Sequence, residues 1–256
     1  LACPFSLNWE SLFKAGMMEI INEFGKGKVA IVTGASNGMG KAIAQELASL
    51  GFNLSLSARD EKKLEAFRED MLLAFPNIRV LAFKADLSKK EEVLAFSEKT
   101  QEEFGQVHVL INNVGQYQES PLLSENDDFL QNLMEVNFFP AYYLCKFFGK
   151  RMADKKEGHI ITIVSIAGKE PVLGAGAYSI SKFALLGLSR NLRAELKPFG
   201  VKVSALLPGA TLTGSWDGVK IDPGTLISAK DIAYAVSNCL RLSPGANMEE
   251  MEIRPL

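Results

Sequence analysis

The sequence predicts an α/β fold: a single doubly wound parallel sheet of seven strands with helices on both faces. From Lys28 onward, short apolar runs alternate with stretches whose apolar residues recur every three or four positions, the pattern of successive βαβ units. The runs are nearly continuous in their apolarity, as strands covered on both faces are. The 256 residues are 47% hydrophobic and 23% charged, ordinary globular proportions that exclude a disordered or fibrous chain.

Taken in order, the strands are expected at Val29–Thr33, Asn53–Ala58, Ile78–Ala85, Val107–Asn112, Ile160–Ser165, Val201–Leu207 and Met251–Arg254. After the first strand, Met39, Ile43, Leu47 and Leu50 mark one helix face, and after the second, Leu64, Phe67 and Met71 mark the next. Two longer helices are expected around Asp127–Ala153 and Ala177–Phe199. They carry Phe138, Phe139, Tyr142, Phe147, Phe183 and Leu186, aromatic surface that suits a homodimer or homotetramer and suits core packing equally. Nothing of linker composition divides residues 28–256, which are read as one domain, with residues 1–27 as an N-terminal extension. In that extension Phe5, Leu7, Trp9, Leu12, Phe13, Ile20, Ile21 and Phe24 recur at loosely helical spacing, without the basic start, apolar centre and cleavage site of a signal peptide. Two readings stay open: an extension upstream of an internal start at Met17 or Met18, or a helix packed on the domain or a partner.

Charge and cysteine usage narrow the function classes. The 28 Lys and Arg against 30 Asp and Glu give a net charge of −2, with no basic surplus for nucleic acid. No apolar run approaches the roughly 18 residues a bilayer crossing needs, so no membrane partner is expected. Cys3, Cys145 and Cys239 are odd in number and lack Cys-x-x-Cys spacing, as expected of reduced thiols in a cytoplasmic protein. His108 and His159 stand at strand entrances and offer little for metal or triad chemistry, and no metal is expected.

The most informative segment is Thr33-Gly34-Ala35-Ser36-Asn37-Gly38-Met39-Gly40, between a strand and a helix. Its glycines allow a sharp turn, close approach of backbone to a pyrophosphate, and tight packing of helix on strand, while the helix N-terminus supplies N–H groups and positive partial charge. The second strand ends in Ser57-Ala58-Arg59-Asp60. An NAD site wants an acid there for the ribose hydroxyls, whereas a 2′-phosphate wants a cation. With Ala58 at the acid position, Arg59 is placed to fork onto a 2′-phosphate, which favours NADP(H) over NAD(H). A shift of the strand end by one residue would instead bring Asp60 to the ribose.

Tyr178 and Lys182 are spaced i, i+4 at the start of a long helical pattern and so share a face. A phenol of ordinary pKa about 10 is a poor acid–base group at neutral pH. An ammonium about 4 Å away at an effective dielectric of about 20 is worth about 4 kcal/mol, enough to bring that phenol near 7.

With Asn112-Asn113-Val114-Gly115, Asn137, Ser165 and Pro208-Gly209, these motifs come in the order and spacing of the short-chain dehydrogenase/reductase family, which the chain resembles over about residues 28–256. The resemblance implies a Rossmann-type fold with strand order 3-2-1-4-5-6-7, a nicotinamide cofactor and a dimer or tetramer. It implies hydride transfer coupled to proton transfer, with Tyr178 giving the proton to the substrate oxygen, Ser165 bonding that oxygen, Lys182 lowering the Tyr178 pKa and bonding the nicotinamide ribose, and Asn137 holding a water that relays protons. The implied cofactor wall takes in Gly34, Ser36, Asn37, Gly38, Met39 and Gly40 of the turn, then Arg59, Asp86 at the adenine and Leu87. It continues through Asn113 and Gly115 along the adenosine, Tyr178 and Lys182, and Pro208, Gly209, Thr211 and Thr213 after the sixth strand. Asn112 resembles an asparagine that braces the sheet. Two positions depart from the family pattern: Val114 stands where alanine is usual, and Asn37 stands where many NADP-preferring members carry Arg or Lys, leaving Arg59 as the main cationic reader.

Substrate is expected above the C-terminal strand ends, against Gln116, Tyr117, Ile166, Leu173, Leu212 and Trp216, a mostly apolar set. Residues 211–229, with Gly214, Gly218 and Gly224, are expected as a small mobile lid. The leading expectation is an NADP(H)-dependent reductase of 3-oxoacyl thioesters or other ketones. Two alternatives stand beside it: an alcohol, sugar or steroid dehydrogenase working in the oxidative direction, and a cofactor-binding regulatory or scaffold protein without turnover.

Overall fold

Alternation along β1 (Val29–Thr33) sends Ala30 and Val32 into one apolar core and Val29 and Ile31 into another, so that this strand is buried from both sides. In this computed structural model, which describes residues 24–214 and 222–256, β1 is an interior strand of a seven-stranded sheet. The other strands are β2 (Asn53–Ala58), β3 (Val80–Lys84), β4 (Val109–Asn112), β5 (His159–Ile163), β6 (Lys202–Pro208) and β7 (Glu250–Ile253). Their order is β3-β2-β1-β4-β5-β6-β7, every pairing is parallel, and this is the implied doubly wound arrangement.

The helices follow from the apolar faces read in the sequence. They are α1 (Gly38–Ser49), α2 (Glu61–Ala74), α3 (Lys90–Phe104), α4 (Phe129–Asn137), α5 (Phe139–Lys155), α6 (Gly176–Leu196) and α7 (Ala229–Arg241). Ile43 and Leu47 of α1, Leu64 and Phe67 of α2, and Ile232 and Val236 of α7 cover one face of the sheet. Val93 and Phe96 of α3 and Leu144 and Phe148 of α5 cover the other, where α6 joins them with Leu185 and Leu186. Because β1 has β2 on one side and β4 on the other, a crevice opens outside the carboxyl ends of β1 and β4, where such folds bind ligands.

Three expectations change. The helix expected around Asp127–Ala153 is two helices, broken at Phe138, where ψ is −56° but φ is −117°. Pro140 is the cause, since it has no N–H to continue the ladder of α4 and its ring excludes the carbonyl four residues earlier. The helix expected to reach Phe199 ends at Leu196, and a 3-10 turn over Lys197–Phe199 follows because Pro198 cannot extend it. Ser165 lies beyond the end of β5, which closes at Ile163.

Of the expected amphipathic stretch at residues 5–24, only Phe24 falls among the described residues. Its ring meets Phe52 edge-on at 6.0 Å, and the Gly25 amide donates to the Leu50 carbonyl at 2.7 Å. Trp216, Gly218, Cys3 and the start-site reading also lie outside the described residues, as do 215–221 of the expected lid. No described helix is long and apolar enough to cross a membrane. Both histidines are structural: His108 Nδ1 accepts from the Val29 amide at 3.0 Å, and His159 shares a 2.8 Å hydrogen bond with Ser204. Burial pushes His159 down to about 3 and keeps it neutral.

Candidate active site

The turn after β1 is tied to β4 by side chains at the crevice. Thr33 Oγ1 donates to the Ile111 carbonyl at 3.3 Å and accepts from the amides of Asn113 and Val114 at 2.9 and 3.1 Å. Asn113 Nδ2 returns to the Thr33 carbonyl at 2.8 Å. Asn113 thus ties β4 to β1, while the bracing expected of Asn112 runs to the other neighbour, β5. Asn112 turns into the protein, where its amide reaches Cys145 Sγ and Thr162 Oγ1 at 3.2 and 3.4 Å.

Backbone bareness is required at two glycines of the turn. Gly34 has φ +66°, and a Cβ at Gly40 would lie 2.2 Å from the Gly34 carbonyl oxygen and 2.6 Å from Asn113 Nδ2. Gly40 thus works from behind the turn and does not itself line the cleft. Asn37 caps α1 by accepting from the Gly38 amide at 2.7 Å, and Gly38 and Met39 line a cleft of about 470 Å³, so the positive end of α1 meets it. Val114 is accommodated: its methyls pack on the core beside Gly34.

Gly34 and Ser36 line this first cleft together with Arg59, Asp86 and Leu87. Asp60 also lines this cleft, and its carboxylate caps α2, accepting from the Lys63 amide at 3.0 Å and pairing with Lys63 Nζ at 3.6 Å. Arg59 makes no hydrogen bond or ion pair among the described residues and is exposed beside Lys63, a cation the sequence reading missed although it lies four residues on. Burial pushes Asp86 upward, but the Ser88 hydroxyl and amide, with Lys89 and Arg59, hold it below the usual carboxylate range. Ser57 Oγ and Asn113 Oδ1, both on the cleft wall, are buried without a hydrogen-bond partner. Unspent acceptors, bare glycine backbone and exposed cations together fit a phosphorylated dinucleotide.

A second cleft of about 470 Å³ shares Met39, Asn113, Gly115, Gln116 and Thr213 with the first, so the two form one continuous trough. Ser165, Tyr178 and Lys182 line it, with Pro208, Gly209 and Thr211 opposite. The Thr211 hydroxyl donates to the Gly209 carbonyl at 3.0 Å. Asn137 is brought close without lining either cleft: buried, it accepts from the Gln116 amide at 2.7 Å and donates to the Gln116 carbonyl and to Ser181, both at 3.0 Å. A Cβ at Gly115 would lie 3.0 Å from Lys182 Nζ and 3.5 Å from Asn137 Oδ1, so these three positions meet.

Ser165 holds φ +142° and ψ 158°, a region that costs a non-glycine residue about 1–3 kcal/mol. Its hydroxyl oxygen accepts from the Ala167 amide at 3.1 Å, and its carbonyl from Gly168 at 3.0 Å. Lys182 is 5% exposed, and burial lowers its ammonium to about 8. Burial raises the Tyr178 phenol above its ordinary value, with a hydrogen bond from Ser165 working the other way. The ammonium of Lys182, from which a lowering is expected, sits over the ring, 5.7 Å from its centroid.

Of the expected substrate walls, Gln116, Tyr117 and Ile166 line the second cleft. Leu173 and Leu212 do not, being 102% and 43% exposed. Val172 lines the wall in place of Leu173, its amide held by Ser179 Oγ at 2.9 Å, so the neighbouring leucine side chain points outward. Glu119 also lines the cleft and was missed, since it lies in an irregular loop with no periodic signal.

A sequence profile of the short chain dehydrogenase family matches residues 28–223. An uncharacterised oxidoreductase of Staphylococcus saprophyticus is 34% identical over 238 residues, covering 90% of this chain and 97% of the relative. Among solved structures, an alcohol dehydrogenase of the archaeon Thermococcus sibiricus, complexed with 5-hydroxy-NADP, is similar at 30% identity and a TM-score of 0.83, covering 90% of this chain and 97% of the other. A metagenomic short-chain oxidoreductase in complex with NADP is similar at 34% identity and a TM-score of 0.79, covering 91% and 98%.

Proposed function

The chain belongs to the short chain dehydrogenase family and is an oxidoreductase of that type, and on that premise we propose that it is an NADP(H)-dependent reductase that converts a carbonyl, in a 3-oxoacyl thioester or another ketone, to an alcohol. The observation that carries this reading is the convergence of Ser165, Tyr178 and Lys182 on the trough that continues from the Arg59 cleft. A bound nicotinamide supplies the hydride. The chain's own residues handle the proton and the developing charge. Tyr178, kept protonated at neutral pH by burial, gives its phenolic proton to the substrate oxygen. Ser165, whose oxygen already accepts from Ala167, donates to the same oxygen and stabilises the charge forming there. Lys182, with its ammonium brought to about 8, replenishes the proton and holds positive charge beside the phenol. Asn137 fixes the Gln116 backbone against Ser181 and so shapes the wall that faces these groups.

The preference for NADP(H) is supported by Asp60 being engaged as a helix cap while Arg59 makes no ion pair among the described residues, and by the NADP-type ligands named for two of the similar structures. The name of the Thermococcus relative favours a second reading, the same site working on an alcohol in the oxidative direction. We include in the proposal a homodimer or homotetramer, supported by exposed Ile180 and Phe183 on α6. The deciding experiment follows NADPH consumption against 3-oxoacyl thioesters, aromatic ketones and sugars, and NADP+ reduction against the matching alcohols. Reduction of at least one ketone class is expected. Turnover with alcohols alone would favour the second reading, and none with any class would overturn both.

A further inference from the structure

Among the described residues, the second cleft contains a single acid. Among the described residues that line it only Lys182 and Glu119 carry charge, and Lys182 is 5% exposed whereas Glu119 is open to the trough. Glu119 Oε1 accepts from the Tyr117 hydroxyl at 3.1 Å. The Tyr117 ring in turn meets the Tyr178 ring edge to face, with centroids 5.0 Å apart and planes at 83°. One tyrosine ring therefore spans from Glu119 to the phenol that carries the proton. The loop is anchored next door, where the Ser120 amide donates to the Gly174 carbonyl at 2.8 Å and Ser120 bridges to Ala175 ahead of α6. Burial, followed by the bond to Glu119, raises the Tyr117 phenol and keeps it a donor to the carboxylate. The other carboxylate oxygen, Oε2, has no hydrogen-bond partner among the described residues. A carboxylate only accepts hydrogen bonds, so it rewards a donor or cation and opposes an anion.

We propose that Glu119 determines specificity in this cleft: its second oxygen receives a hydroxyl or ammonium group carried beside the reacting carbonyl, and its charge turns away ketones with a carboxylate in that place. Tyr117 is the positioning residue that holds Glu119 toward Tyr178. This deepens the carbonyl-reductase reading and rests on it. Ile163, Ile166, Val172 and Ala210 give the wall apolar stretches, polar side chains such as Gln116, Ser165 and Thr211 are neutral, and Glu119 is the one anionic group among the described lining residues.

The test uses the full chain with NADPH and three ketones of similar size: 2-hydroxyacetophenone, propiophenone and phenylglyoxylate. In the wild type, kcat/KM is expected to favour the hydroxy ketone over the ethyl ketone by about tenfold, as a hydrogen bond to a charged group allows, with the carboxylate poorest. In Glu119→Leu the ratio of hydroxy to ethyl ketone falls to about one, and in Glu119→Lys the carboxylate overtakes the ethyl ketone. Unchanged ratios in both variants overturn the proposal. Calorimetric binding of the same three ketones in the presence of NADP+ reads the same ratios without turnover. Absence of reduction in the wild type would therefore count against the reductase reading, while the binding ratios still decide the role of Glu119.

Discussion

The ammonium of Lys182 lies over the face of the Tyr178 ring, 5.7 Å from its centroid, and both groups are shifted by burial in the direction that disfavours charge. Lys182 is lowered from 10.5 to about 8, so the unfolded chain binds more protons than the folded one between those values. The cost of burying the ammonium is therefore full below pH 8 and fades as pH rises toward 10.5. Lys182→Met is expected to abolish turnover yet raise stability at pH 7 by about 1–3 kcal/mol, with the gain shrinking toward pH 10.5. Urea unfolding at the two pH values reads this, and a variant less stable than wild type at pH 7 would contradict it.

At the other end of the trough, Arg59 and Lys63 both line the cleft, and Lys63 is paired with Asp60. Arg59→Ala is expected to weaken binding of 2′,5′-ADP by about tenfold or more while barely changing 5′-AMP, and Lys63→Gln to weaken it less. Calorimetry with the two nucleotides measures this directly. Equal losses for both would mean that Arg59 does not read the 2′-phosphate.

Gly40 and Gly187 make a matched pair. A Cβ at Gly40 would press to 2.2 Å on the Gly34 carbonyl oxygen, whereas one at Gly187, within α6, meets nothing within 4 Å. Gly40→Ala is expected to cost about 2 kcal/mol or more and to impair cofactor binding by displacing the turn. Gly187→Ala should stabilise by about 0.5–1 kcal/mol through its helix propensity. Thermal melts with and without NADPH compare them, and similar melts for the two variants would defeat the packing argument.

The features legible in the sequence are those set by short-range pattern. Strand–turn–helix geometry around Gly34–Gly40 follows from local residue types, the alternating apolar runs give the strands, and the order in which β1 and β4 meet comes from the family resemblance. What escaped depends on side-chain direction or on solvent. Asn112 and Asn113 differ by one position, and the parity of a strand end decides which of them faces Thr33. At the substrate wall Val172 stands where Leu173 is expected, because an irregular turn before α6 gives no periodic signal of side-chain direction. The break at Phe138 was hidden because apolar spacing continues across it, although Pro140 signals it. Burial of Tyr178, which pushes its phenol upward, is a tertiary quantity that i, i+4 spacing does not carry.

The central claim is that Tyr178 gives the proton in carbonyl reduction, and it is tested most directly by one paired measurement on Tyr178→Phe: NADPH-dependent turnover of a ketone the wild type reduces, together with the dissociation constant for NADPH. Loss of the phenolic hydroxyl is expected to lower turnover by about a hundredfold or more while changing the NADPH dissociation constant only a few-fold. Turnover within about tenfold of the wild type at unchanged NADPH affinity would contradict the account.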